Sequence, residues 1–117
     1  MTDTDIALAF LHHLAEGKLA QAELLLSPDF RMTFPGGVQL FSLSELTSWS
    51  RPRYRRIEKC IERTDASPGS VYVSGTLRGQ WTNGSAFDRI RFIDRFEMSN
   101  GLILRQEVWN DMAEHRP

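Results

Sequence analysis

The second half of the chain contains four long runs in which apolar and polar residues alternate. Side chains that alternate with period two point to opposite faces of a β-strand, so each run predicts a strand with one apolar face. The last two turns between the runs contain Asn83-Gly84 and Asn100-Gly101, and Asn-Gly is a strong hairpin signal. The predicted strands cover residues 56–63, 71–82, 87–98 and 102–110. This half is therefore predicted to fold as an antiparallel meander.

The first half of the chain is predicted to be mainly helical. Apolar residues recur at spacings of three and four between positions 4 and 16, the pattern of a helix with one apolar face, and Gly17 fits its end. A second, short helix is predicted over residues 18–26. Ser42 and Glu45 have the spacing of a capping box, which predicts a third helix over residues 43–50.

A short hairpin is predicted between the second and third helices. Residues 30–34 alternate, Pro35-Gly36-Gly37 forms a turn, and residues 38–40 return as the partner strand. Helices followed by an antiparallel meander indicate an α+β domain. Long strands with one apolar face are expected to curl their sheet around the helices, and a sheet curled in this way tends to enclose a pocket.

One carboxylate lies on the apolar face of a predicted strand. That face consists of Ile90, Phe92, Asp94, Phe96 and Met98. Burying an unpaired charge is costly, so such a group is paired, kept neutral or used in function. Asp94 is therefore a candidate acid or base, since perturbed carboxylates in apolar clefts serve in proton transfer. The alternative is a structural carboxylate held by a hydroxyl, an indole or a backbone amide.

Composition limits the class of partner. The chain has 117 residues, enough for one domain, and its 14 basic and 15 acidic residues leave a formal net charge of −1. This balance gives no support for binding to nucleic acid or to a membrane surface. A local cluster of Arg51, Arg53, Arg55 and Arg56 is interpreted as a solvated surface paired with acidic residues across strands.

The sequence contains no signature of a cofactor or of export. The single Cys60 excludes an internal disulfide. His12 and His13 lack a second pair at metal-binding spacing, and there is no P-loop or dinucleotide fingerprint, so neither a metal nor a cofactor is expected. No apolar run approaches the roughly 20 residues of a membrane span. The acidic N-terminus lacks the basic start of a signal peptide, so a cytoplasmic protein is expected.

Four short segments, in their order and spacing, resemble the nuclear transport factor 2-like superfamily, also called the cystatin-like or SnoaL-like fold. They are Gly75-Thr76-Leu77-Arg78-Gly79, Ile93-Asp94-Arg95-Phe96, Asn100-Gly101-Leu102-Ile103 and Glu107-Val108-Trp109-Asn110-Asp111. The resemblance implies a single SnoaL-like domain over residues 1–117, with N-terminal helices packed on a highly curved antiparallel sheet. In this superfamily the sheet forms a cone that holds small apolar ligands. Homodimers are common, so a second copy is an implied partner, with Tyr72 and Ile93 on the outer sheet face.

Two enzyme branches of the superfamily place an aspartate where this chain has Asp94. In ketosteroid isomerases the matching carboxyl donates a hydrogen bond to the developing oxyanion. Their general base and oxyanion tyrosine match Phe34 and Phe10, which cannot transfer protons, so steroid isomerisation by that mechanism is not expected. In SnoaL-like polyketide cyclases the matching aspartate is a general base that removes a carbon-bound proton. The histidine that those enzymes often add on a neighbouring strand is missing from residues 75–79.

The predicted site combines Asp94 as the catalytic residue with an aromatic ligand-binding wall. The wall residues are Phe10, Phe34, Trp49, Tyr54, Phe92 and Trp109, and ordinary core or interface packing is the alternative for each. The leading function is a small-molecule pocket protein, with cofactor-independent cyclase, isomerase or dehydratase chemistry on an apolar carbonyl-type ligand. The alternative is a non-catalytic ligand-binding or homodimerisation module, which the phenylalanines at the two missing catalytic positions favour.

Overall fold

Three helices and a short hairpin precede four long strands, in the predicted order. The computed structural model describes residues 1–117, and its six strands form one sheet in the order β2-β1-β6-β5-β4-β3. The elements are α1 (Asp3–Ala15), α2 (Leu19–Glu23), β1 (Leu26–Phe34), β2 (Val38–Leu40), α3 (Leu43–Ser50), β3 (Tyr54–Ser67), β4 (Ser70–Trp81), β5 (Ala86–Ser99), β6 (Leu102–Asn110) and α4 (Met112–His115). The last helix was not predicted.

One strand pairing differs from the antiparallel sheet that was predicted. The meander from β3 to β6 is antiparallel, but β1 lies parallel to β6, so the sheet is mixed. No local turn sets the direction of this pair, because the two strands are far apart in the chain. β1 also begins at Leu26, inside the second helix that the sequence predicted. Its register with β6 shifts between Leu26 and Arg31, a stretch that includes Pro28, which has no N–H to donate to a ladder.

Capping side chains fix the starts of the two longer helices. The Thr2 hydroxyl accepts a hydrogen bond from the Asp5 amide at 3.1 Å, and the Asp5 carboxylate accepts one from the Thr2 amide at 3.0 Å. The Ser42 hydroxyl accepts from the Glu45 amide at 3.1 Å, which is one of the two bonds of the capping box predicted for α3. Each such bond satisfies an amide that the helix itself leaves free.

The sheet curves because its long strands contain register shifts and two tight glycine positions. The pairing of β3 with β4 shifts twice, and the pairing of β4 with β5 shifts once. Such bulges bend a strand and increase its twist. A side chain at Gly75 would collide with the carbonyl oxygen of Cys60, and one at Gly79 with that of Arg56. Only glycine therefore allows β3 and β4 to approach so closely at these two points.

The core lies between α1 and the inner face of the sheet. The predicted alternation of β5 is confirmed, since the five residues Ile90, Phe92, Asp94, Phe96 and Met98 are all buried. The α1 stripe buries Ile6, Ala7, Phe10 and Leu11 against this face.

Candidate functional site

A cavity of about 830 Å³ lies between the inner face of the sheet and the helices α1, α3 and α4. This volume falls within the roughly 300–1,000 Å³ typical of ligand pockets. Most of its wall is aliphatic or aromatic, with contributions from Leu8, Met32, Phe34, Trp49, Ile57 and Phe92. The rings of Phe34 and Trp49 pack against each other on the wall, with their centroids 4.6 Å apart and their planes inclined by 44°.

Four of the six aromatic residues predicted to form the wall line this cavity, namely Phe34, Trp49, Tyr54 and Phe92. Phe10 does not line it. Its ring is completely buried and packs edge-on against Phe30 and Phe96, with both centroids 6.1 Å away. Phe10 lies at the centre of the α1 stripe that fills the core, and this placement corrects the prediction.

Trp109 also lies away from the cavity, on the outer face of the sheet. Its side chain is 49% exposed. Val108 pairs with Asp94 and is buried, so the alternation of β6 turns Trp109 outward, opposite Ile93. The strand pairing thus corrects the predicted inward direction of this indole.

Asp94 is completely buried and does not itself line the cavity. Its strand neighbours across the sheet are Val73 and Val108, so its surroundings there are apolar. The Oδ2 atom accepts a hydrogen bond from Lys59 Nζ, whereas Oδ1 has no hydrogen-bond partner in the protein. The buried carboxylate is therefore compensated by an ion pair. Of the three possibilities for a charge on an apolar face, pairing is the one observed.

Lys59 links Asp94 to the cavity. It lies on the inner face of β3, lines the cavity and keeps 26% of its side chain exposed. On β4, Leu77 is opposite Lys59 and Val73 is opposite Asp94. Gly75 lies between Leu77 and Val73, and therefore between the two charged residues. The lysine side chain can therefore reach across β4 over a residue that has no side chain. Its Nζ atom also lies 4.9 Å from the centroid of the Phe92 ring.

Lys59 was not predicted as a site residue, although its sequence signal is of the same kind as that of Asp94. Ile57, Lys59 and Ile61 are the inward-facing positions of this part of β3, and all three line the cavity. A charged residue in the middle of an alternating apolar face marks a group that needs a partner.

Gln106 is a second polar group that the sequence did not reveal. It is only 3% exposed, lines the cavity, and its Oε1 atom has no hydrogen-bond partner in the protein. Pairing between β5 and β6 shifts at Glu97 and Met98, so Ile103 and Gln106 both face inward although they are three positions apart. A simple alternation along β6 could not have predicted this.

Tyr54 and Glu58 are two further polar residues of the wall. Burial raises the pKa of the Tyr54 phenol above its usual 10.0, and the nearby Ser50 hydroxyl and Arg53 partly offset this rise. Tyr54 therefore stays a neutral donor at physiological pH. Glu58 is exposed and binds Arg78 through both carboxylate oxygens, at 2.9 and 3.2 Å, which lowers the pKa of Glu58.

No group of three or more histidine, cysteine, aspartate or glutamate side chains lies close enough together to hold a metal ion. None of the helices has both the length and the apolar character needed to cross a membrane.

Comparison with known proteins rests on structure. No protein-family model matches the chain, and no curated protein matches its sequence. Among solved structures, an NTF2-like protein of unknown function from Burkholderia pseudomallei K96243 superposes with a TM-score of 0.87 at 19% identity, over 98% of this chain and 95% of that one. TerC, co-crystallised with polyporic acid, gives a TM-score of 0.87 at 15% identity, over 97% and 94%.

A candidate SnoaL-like polyketide cyclase from Jannaschia sp. CCS1 gives a TM-score of 0.78 at 14% identity, over 97% of this chain and 88% of that one. At sequence identities this low, the structural similarity shows a shared fold and nothing more. The agreement over nearly the full length of each structure shows that this chain has the nuclear transport factor 2-like fold, the α+β cone that the sequence resemblance implies.

Proposed function

We propose that the protein binds a small, largely apolar molecule in its cavity and that Lys59 hydrogen-bonds a carbonyl or enolate oxygen of that molecule. The observation that supports this most is the position of Lys59, an ammonium group held by a buried carboxylate within an otherwise mostly apolar wall. Ligand pockets typically combine apolar walls with a few such fixed polar groups.

The chemistry of the ammonium group fits this role. It has three N–H donors, and Asp94 accepts from it through one oxygen. The remaining donors are available to a ligand on the cavity side. In a pocket of low polarity a charge-assisted hydrogen bond is stronger than in water. Gln106 can contribute a second polar contact, because its Oε1 atom is free to accept from a ligand hydroxyl.

The comparisons support a small-molecule role in general terms. TerC was co-crystallised with polyporic acid, and another structure of the same fold is a candidate polyketide cyclase. These ligands and activities belong to those proteins, and they make polyporic acid and neutral aromatic ketones reasonable first probes for this chain.

The test is a calorimetric titration of polyporic acid and 2-acetylnaphthalene into four proteins. They are the wild type, Lys59→Met/Asp94→Asn, Asp94→Asn and Lys18→Met. The double variant removes both charges together, so no unpaired charge stays buried. We expect it to bind at least about tenfold more weakly, the usual order for loss of one charge-assisted hydrogen bond. Lys18→Met alters the other lysine of the chain and should bind like the wild type. Equal affinity of the double variant and the wild type would contradict the role of Lys59.

Proton-transfer catalysis is a second candidate function, favoured by one observation. Asp94 contacts Lys59, which lines the cavity, so a proton could pass between ligand and carboxylate through the ammonium group. The enzyme would then be a cofactor-independent cyclase, isomerase or dehydratase. For any ketone that binds, NMR in D₂O measures the exchange of its α-protons. Asp94→Asn should slow that exchange, and an unchanged rate would exclude an acid–base role for Asp94.

A further inference from the structure

The charges on the cavity wall are unevenly balanced. Glu58 is its one acidic residue, and Arg78 occupies both carboxylate oxygens. The charge of Lys59 is matched by Asp94. The side chain of Arg53, in contrast, lines the cavity and forms no ion pair or hydrogen bond with any other residue. Arg116 also lines the cavity without an ion pair, but it is exposed. Arg53 is therefore the one half-buried positive charge of the wall that the protein leaves uncompensated.

Arg53 is held in place by an aromatic surface. It lies in the turn between α3 and β3, and its guanidinium carbon is 4.1 Å from the centroid of Trp49. Trp49 in turn packs on Phe34 at 4.6 Å. The guanidinium group carries five N–H donors, and none of them has a hydrogen-bond partner in the protein. The donors therefore stay free to bind an anion in a fork-like geometry.

We infer that the ligand of this cavity is an aromatic acid, and that Arg53 binds its carboxylate or similar anionic group where the cavity meets solvent. This inference rests on the proposed function, because it presupposes a small molecule in the cavity. The flat body of the acid would pack on Phe34 and Trp49, and its anionic group would neutralise the uncompensated charge. Lys59 cannot take this role equally well, because Asp94 already neutralises it.

The experiment uses two fluorescent probes with the same aromatic body. 8-Anilino-1-naphthalenesulfonate carries an anionic group, and N-phenyl-1-naphthylamine is its uncharged counterpart. Both are titrated into the wild type, Arg53→Gln, Arg53→Lys and Arg56→Gln. Arg56 is the matched control, because it is an exposed arginine that does not line the cavity.

We expect Arg53→Gln to weaken binding of the anionic probe about tenfold, as for one charge-assisted contact, and to leave the neutral probe within about twofold of the wild type. Arg53→Lys keeps the charge without the planar fork, so it should retain part of the affinity for the anion. Arg56→Gln should change neither probe. Equal weakening of both probes by Arg53→Gln, or an unchanged affinity for the anion, would overturn this inference alone. Failure of both probes to bind the wild type would instead contradict the proposed function.

Discussion

At the scale of single residues, the pair of Asp94 and Lys59 connects the core to the cavity. Asp94 is completely buried, whereas Lys59 is partly exposed and lines the wall. Removing charges from water is costly, so a buried ion pair adds little net stability compared with apolar residues of the same shape. Retaining such a pair is easier to understand if its exposed member has a function. The same physics predicts how the two residues respond to substitution.

Lys59→Met alone should lower the free energy of unfolding by about 3–5 kcal/mol, because it leaves the Asp94 charge buried without a partner. Adding Asp94→Asn to this variant should recover most of the loss, since the buried charge is then removed as well. Urea denaturation measures both values. Lys18→Met, an exposed control, should stay within about 0.5 kcal/mol of the wild type. A single variant as stable as the double variant would show that the ion pair does not compensate Asp94.

Tyr54 makes a separate prediction about pH. Burial raises the pKa of its phenol above 10.0, so the folded protein holds this proton more tightly than the unfolded chain. The corresponding stability is fully present below about pH 10 and is lost as pH rises through the folded pKa. The chain has two tyrosines, so a titration followed by tyrosinate absorbance is easily assigned. Tyr54→Phe should remove the component whose pKa is raised above 10.0, and Tyr72→Phe should retain it.

Charged residues on apolar faces can be recognised in the sequence, but the contacts between them cannot. Asp94 was placed inward correctly because the alternation of β5 is regular over residues 90–98. Its partner Lys59 lies two strands away, and the register that brings them together contains shifts that no local pattern reveals. Gln106 was missed for the same reason.

At the scale of elements, β3 and β4 supply a large part of the cavity wall. Their close approach at Gly75 and Gly79 accompanies the register shifts that bend the sheet. The sequence indicated both strands, but alternation gives no information about curvature. It also could not give the parallel pairing of β1 with β6, which joins distant parts of the chain.

Gly75→Ala should destabilise the protein by about 1–3 kcal/mol, the typical cost of overpacking, because its methyl group would collide with the main-chain oxygen of Cys60. A main-chain atom cannot move aside as a flexible side chain can. Thermal unfolding of Gly75→Ala and of the neighbouring control Ser74→Ala measures the difference. A melting temperature for Gly75→Ala equal to that of the control would show that β3 and β4 can separate at this point without cost.

At the scale of the whole molecule, the sheet has two faces with different properties. The inner face carries the core and the cavity, and the outer face carries Ile93 and Trp109 as opposed, exposed apolar residues. Ion pairs surround them, including Arg95 with Glu107 at 3.3 Å. The outer face is the surface that we propose for the homodimer expected from the sequence.

Sedimentation analysis tests that dimer. If the outer face is the interface, the wild type sediments as a dimer and Trp109→Arg as a monomer. A charge at the centre of an apolar interface is costly to bury. Leu24→Arg is the control, because Leu24 is exposed and lies outside the sheet. A monomeric wild type, or a dimeric Trp109→Arg variant, would contradict the proposed interface.

The central claim is that Lys59, held by Asp94, is the group that meets the ligand. NMR of protein labelled with ¹³C at the lysine ε-carbons tests it most directly, since the chain contains only two lysines and Lys18→Met assigns their signals. We predict that polyporic acid, or 2-acetylnaphthalene if that is the probe that binds, shifts the Lys59 signal and leaves the Lys18 signal unchanged. Saturating binding of a probe with no change in the Lys59 signal would contradict the claim.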